Sequence, residues 1–311
     1  MKDIDEMKSR RAVGHIACFA AYAIFGVNII TCKDLTAGHV ITPLGIFSLR
    51  ALGAGSIFWL LSVILPSARK EKVALRDLPL ILLASFLGFF ITQMTFLMAI
   101  PQVTPMTCSI ISSLSPVYTM FIAAVAIKEP VTLKKAAGVA VSFIGIILLI
   151  INSVHGSGAS ESTPWGIVLL FANGLSFSLY LGIFKPLISR YSVITFMKWI
   201  FLFAALMSLP FSARELICLD WASIPRISYA ELAFLIIFAT FISYFLIPIG
   251  QKALRPTLVS MYSYVQPIIA TLISICIGMD MLSWQKILSA ILVFAGVIIV
   301  SRSKTRAELP K

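Results

Sequence analysis

Arg50, in Ile-Phe-Ser-Leu-Arg-Ala-Leu-Gly, and Lys198, in Thr-Phe-Met-Lys-Trp, are cations set inside long apolar runs, and the run around Arg50 holds no acidic residue. A charge at that depth is expensive unless it meets water, a partner or a route to the interface. One reading makes both line a cavity and attract a carboxylate or phosphate, for which Arg offers a planar fork and Lys a point charge. In the other reading the aliphatic stems snorkel, and the heads reach headgroups or helix-end carbonyls. Lys198 falls at a place in the second half of the chain close to that of Arg50 in the first.

A second set is polar and uncharged: Asn28, Gln93, Ser112, Asn173, Tyr180, Tyr244, Tyr264 and Gln266 all interrupt apolar runs. Buried amides and hydroxyls need partners, so they face either a wet cavity or another helix. Tyr262, Tyr264 and Gln266 crowd just ahead of Pro267, as Ser112, Ser113 and Ser115 do ahead of Pro116. Apolar area beside a few hydrogen-bonding groups is what a small-molecule pocket requires.

The elements that must position these groups are membrane helices. The 311 residues are 59% hydrophobic and only 12% charged, with mean hydropathy +0.98, which excludes an ordinary soluble domain. Apolar blocks suited to crossing hydrocarbon as self-satisfied helices fall at 14–33, 43–65, 79–99, 105–126, 136–151, 165–184, 192–210, 231–250, 257–278 and 285–301. Pro43, Pro66, Pro79, Pro105, Pro164, Pro210 and Pro256 mark boundaries. Pro116, Pro248 and Pro267 lie within spans and are expected to kink them or open their hydrogen-bond ladders, which makes Pro116 and Pro267 candidates for gating. The five cysteines show no metal-ligand spacing and read as small hydrophobes. The first apolar block lacks a small-residue cleavage site and reads as an uncleaved span.

The chain also resembles itself. Pro105, Ser109, Ser112 and Pro116 recur 151 positions later as Pro256, Ser260, Ser263 and Pro267; Glu129, Lys135, Phe143 and Gly145 recur as Asp280, Lys286, Phe294 and Gly296. Ten spans place both termini on one side, and 19 Lys and Arg then fall on that side against 4 on the other. The positive-inside rule makes that side cytoplasmic. It also accounts for the +12 charge without nucleic acid. The expected fold is therefore all-α and integral to the cytoplasmic membrane: ten transmembrane helices as two inverted five-helix repeats, 1–152 and 153–311, around a central cavity. Substrate choice is expected in the differences between copies, where Ser113 becomes Tyr264 and Ser115 becomes Gln266.

No acidic residue lies deep in a span, His15 sits near a membrane boundary, and His39 and His155 fall in connectors, so no buried proton relay is evident. Glu129 and Asp280 read as helix caps or as partners of Lys134, Lys135 or Lys286 at the interface. Neither an ATP-binding glycine loop nor a nucleophile–base arrangement is present, and no cofactor, metal or ATPase subunit is called for. No pattern marks an oligomeric state.

With ten spans in two halves, the chain resembles the drug/metabolite transporter superfamily, in particular its EamA-like permeases. The resemblance rests on Ala99-to-Gly145, with Ser-Leu-Ser-Pro ending at Pro116, then Glu129, Gly138 and Gly145, and on Pro267 and Gly296 in the second copy, where Asp280 replaces the family-like Glu; Arg50 stands where such proteins often carry an Arg. The resemblance implies an alternating-access secondary transporter, with lipid around it and a small polar or amphipathic metabolite, such as an exported amino acid, inside it. An organic-anion or phosphorylated-metabolite exchanger is the alternative, and a membrane scaffold or enzyme the reading of another class.

Overall fold

The computed structural model describes residues 2–37, 41–103, 108, 111–112, 114–153, 163–276 and 284–303. Pro105, Ser109, Ser113, His39, His155, Asp280 and most of the polar 152–163 segment lie outside these residues. The fold is all-α and multi-pass, and no strand occurs among the described residues. In chain order the main helices are α1 (Lys2–Ala37), α2 (Pro43–Ile64), α3 (Leu75–Gln102), α4 (Ser115–Ala126), α5 (Leu133–Ser153), α6 (Pro164–Ile183), α7 (Val193–Cys218) and α8 (Arg226–Ala253). After these, α9 comprises Pro256–Met261, a 3-10 turn Tyr262–Tyr264 and Val265–Cys276, and α10 is Trp284–Ser301.

Among the described residues six helices are long and apolar enough to cross a membrane: α1, α2, α3, α6, α7 and α8. Ser115–Ala126 and Ile287–Ser301 are apolar but shorter. The expected fourth and ninth spans are interrupted ahead of their prolines. Pro116 stands in the first turn of α4, and Pro267 in the first turn of the Val265–Cys276 stretch that follows the 3-10 turn of α9. Each proline lacks the amide hydrogen that would continue the ladder backwards. Pro210 departs from expectation: it lies inside α7, which runs on to Cys218 instead of ending there. Pro248 lies inside α8 as expected.

Local chemistry sets several helix starts. Thr42, Thr163 and Ser192 accept from the amides of Gly45, Gly166 and Thr195 at 3.1, 3.0 and 3.2 Å, and Pro43 and Pro164 occupy the position where a missing amide is harmless. Two π-helical turns, Phe86–Ile91 in α3 and Ile237–Ile242 in α8, stand 151 residues apart. Thr92 and Ser243 donate to the carbonyls five residues earlier, Leu87 at 2.7 Å and Phe238 at 3.0 Å, supplying partners within the widened turns.

Helices α2 and α7 pack together, as do α5 and α10; α1 packs on α8 and the second half of α9, while α6 packs on α3 and α4. The α5–α10 contact is close enough for Ser142 Oγ to donate to the Val293 carbonyl at 3.0 Å. Cys18, Cys32 and Cys108 are buried as small apolar residues, whereas Cys218 and Cys276 are exposed.

One end of the bundle is tied by polar side chains in the connectors. Asp77 accepts from Tyr191 Oη at 2.7 Å and from Arg190 at 3.3 Å, and Glu71 accepts from the Ser192 amide at 2.9 Å. Lys252 Nζ donates to the Tyr191 carbonyl. Partial burial works to raise the Glu71 pKa, but hydrogen bonds from Ser192 and Thr195 and the charge of Lys252 outweigh it and hold the carboxyl below its ordinary value. A depressed carboxylate pKa contributes stability above the unfolded-state value, near ~4.3, and loses it as pH falls through the folded value. Glu71→Gln is therefore expected to melt below the parent at pH 7, with the gap closing under acid; thermal melts from pH 7 to pH 3 check this, and a pH-independent gap contradicts it.

Candidate functional site

A cavity of about 80 Å³ lies among α1, α3, α6, α8, α9 and the approach to α4. Helix α1 contributes Tyr22, Phe25 and Asn28, successive residues of one face, and α3 contributes Thr92, Gln93 and Phe96 immediately after its π turn. Asn173 and Phe177 come from α6 and Tyr244 from α8. Ser112 and Ser115 flank the break before α4; Ser260, Ser263 and Gln266 flank the break in α9. Interrupted helices turn polar groups into an interior that a continuous apolar helix would fill with side chains.

The lining is paired. Tyr22 and Asn173, Gln93 and Tyr244, Ser112 and Ser263, and Ser115 and Gln266 are each 151 positions apart, and all eight border the cavity. One pair touches directly: Gln93 Nε2 donates to Tyr244 Oη at 2.9 Å. Asn173 Nδ2 donates to the Thr92 carbonyl at 2.7 Å, which fixes its amide against α3. By contrast Tyr22 Oη, Gln93 Oε1 and Ser263 Oγ are buried with no protein partner. Unpaired buried polar atoms in a cavity wall are available to a solute or to water. Among the described residues none of the lining side chains carries a charge at neutral pH; the lining is rings, amides, hydroxyls and one aliphatic side chain, Ile29.

Of the residues singled out from the sequence, Asn28, Gln93, Ser112, Asn173, Tyr244 and Gln266 border this cavity, and Arg50, Tyr180, Lys198 and Tyr264 do not. Arg50 is wholly buried; its Nε donates to Thr240 Oγ1 at 2.8 Å, Nη2 lies 3.5 Å from the Ala239 carbonyl, and Nη1 has no partner. Lys198 stands with its Nζ 5.0 Å from the centroid of the Trp59 ring. That is a cation–π contact away from the cavity. Tyr180 is buried with its ring against Gly88, where an added Cβ would fall 2.4 Å from it; Tyr264 is buried with an unpaired hydroxyl. The sequence reading missed Tyr22, Phe25, Phe96 and Phe177. Phe25, Phe96 and Phe177 each sit three or four residues from a polar lining residue on the same helix, and that spacing was the available signal.

The EamA-like transporter family model matches residues 12–151 and again residues 164–302. The chain belongs to the EamA-like transporter family. It is similar to an uncharacterized transporter of Archaeoglobus fulgidus, 21% identical over 85% of this chain and 90% of the other. It is also similar to the uncharacterized transporter YyaM of Bacillus subtilis, 20% identical over 90% and 91%. A protein of known crystal structure shares the fold with TM-score 0.73 at 17% identity, covering 94% of this chain and 96% of that one. This EamA-like chain is thus a membrane transporter of the drug/metabolite superfamily and not a catalyst. Among its described residues no group of three or more His, Cys, Asp or Glu side chains gathers as a metal site.

Proposed function

We propose that this EamA-like protein is an alternating-access secondary transporter that exports amino acids or related small metabolites across the cytoplasmic membrane. The observation that carries the reading is the uncharged, ring-lined cavity with three unpaired polar atoms, formed where helices are broken. Its shape argues against a scaffold with a closed interior. Among the described residues no Lys or Arg lines it, which argues against a phosphorylated solute, whose dianion needs direct cationic contacts.

In this reading the chain crosses ten times, as two five-helix halves of opposite polarity with both termini cytoplasmic. Support comes from the two family matches, the π turns 151 residues apart and the eight lining residues related by the same interval. The packing points the same way: α1 on α8 has its counterpart in α6 on α3, and α4 on α6 in α9 on α1. The breaks at Pro116 and Pro267 would serve as hinges beside the cavity.

Purified protein in liposomes, offered amino acids, nucleosides, sugars and organic anions with and without a proton gradient, tests the reading. Flux of at least one class is expected. Gln93→Leu and Tyr244→Phe should lower it roughly tenfold, the effect of about one lost buried hydrogen bond, at unchanged membrane insertion. Parallel loss of flux and insertion would assign the pair to packing, and no flux for any class from folded protein would overturn the transport reading.

A further inference from the structure

Arg50 is a buried cation for which the described residues provide no counter-charge. Among the described residues no carboxylate lies within ion-pair distance of it, and one of its terminal nitrogens is unpaired. An uncompensated charge of this kind is strongly unfavourable at rest and marks a functional group inside a membrane protein. Its position relative to the cavity is specific. Thr240, which accepts from Arg50 Nε, lies one helical turn before Tyr244, which lines the cavity. Arg50 interacts electrostatically with Tyr244 and with Cys32, and Cys32 Sγ donates to Asn28 Oδ1, another lining residue, at 3.5 Å. The guanidinium therefore stands one layer of side chains behind the wall.

The other half of the molecule has no equivalent charge. The residue 151 positions after Arg50 is Phe201, whose ring meets Phe89 in the π turn of α3 at 4.6 Å, just as Arg50 meets Ala239 and Thr240 in the π turn of α8. Phe89 and Phe201 also pack on the Tyr244 ring, at 5.0 and 5.7 Å, so a cation and two phenyl rings stand behind the same tyrosine.

We propose that Arg50 gives the cavity a preference for solutes bearing a carboxylate, acting as a positioning residue through Tyr244 and Asn28 rather than by contact. This inference rests on the cavity being the transport site. A carboxylate is favoured over a phosphate because one unshared cation behind neutral donors suits a monoanion. The solute's acidic end lies toward Tyr244 and its apolar body toward Phe96 and Phe177.

The test uses matched acids and amides of equal shape, beginning with benzoate and benzamide and extending to larger pairs, with inorganic phosphate as a further arm. Binding to the purified wild-type protein is followed by tryptophan fluorescence, and carriage by liposome uptake. Acids are expected to bind at concentrations about tenfold lower than their amides, the effect of one charge acting through a single side-chain layer. In Arg50→Gln the preference should shrink to within about twofold through weaker acid binding alone, and Arg50→Lys should restore most of it. Equal binding of acids and amides by the wild type overturns the proposal, and so does a preference that survives Arg50→Gln or stronger binding of phosphate than of any acid. The wild-type comparison stands even if a variant fails to fold. Uptake of amides without acids would overturn the carboxylate preference and leave the transport reading intact, whereas absence of all flux would strike that reading instead.

Discussion

Glu129→Gln is expected to destabilise the protein by about 3–5 kcal/mol, and Lys135→Met by clearly less, because the two changes strand different charges. Lys135 Nζ lies 2.6 Å from Glu129 Oε1, with side-chain exposures of 0% and 4%. Its ammonium also donates to the Pro130 carbonyl at 3.1 Å, and Glu129 Oε2 accepts from Thr257 at 3.3 Å. One further cation feels the same carboxylate, Lys185, which donates to the Leu254 carbonyl, while Arg255, which donates to Val300 O and Ser303 Oγ at 2.8 and 2.9 Å, is close enough to repel both lysines. One carboxylate thus balances two lysines, one in the first turn of α5 and one just after α6. Removing it leaves Lys135, Lys185 and Arg255 facing one another. Removing Lys135 leaves Glu129 with a cation still near it. Thermal melts of both single variants and of the double Glu129→Gln/Lys135→Met check this. The double variant should recover part of the loss, because no stranded Lys135 remains. Equal losses in the two singles would show that Lys185 does not compensate Glu129.

That ion pair was legible from spacing, since Glu129 precedes a helix whose first turn carries Lys134 and Lys135. The relation between Gln93 and Tyr244 was legible too, as two polar interruptions 151 positions apart, and the structure joins them by a hydrogen bond. Depth in a span was a poorer guide. Arg50 and Lys198 look alike by that measure, yet one is sealed in the interior and the other sits over Trp59. Hydropathy reports how far a charge lies from water along the chain, not which way its helix face turns. The repeat interval separates the two, because it carries Arg50 onto Phe201. Composition hides the aromatic lining: with 59% hydrophobic residues, a ring on a cavity wall differs from one facing lipid only by its spacing from polar residues on the same helix. The π turns were hidden because a single widened turn has little compositional signature beyond a hydroxyl placed to reach back five residues.

Gly296→Ala should be among the most damaging single-methyl changes available to this chain. A Cβ at Gly296 would stand 2.1 Å from Ser142 Oγ and 2.4 Å from the Gly138 carbonyl, and one at Gly138 would stand 2.9 Å from the Gly296 carbonyl. The side chain of Ser142 can rotate, but the backbone carbonyl of α5 cannot move without the whole helix. Overpacking of this kind typically costs about 1–3 kcal/mol. Separating α5 from α10 would also remove the Ser142–Val293 hydrogen bond, worth about 1 kcal/mol more. In a membrane, where lipid matches the apolar side chains, close backbone approach through small residues is a principal source of helix affinity. Gly174→Ala is the control, because its nearest neighbour, Ser115 Oγ, would lie at 3.5 Å in ordinary contact, and little change is expected. Adding Ser142→Ala to Gly296→Ala should recover only part of the loss, since the Gly138 carbonyl still blocks the methyl. Melting temperature and membrane abundance of the three variants provide the measurement. A Gly296→Ala protein as stable as Gly174→Ala would mean that α5 and α10 do not meet at these glycines.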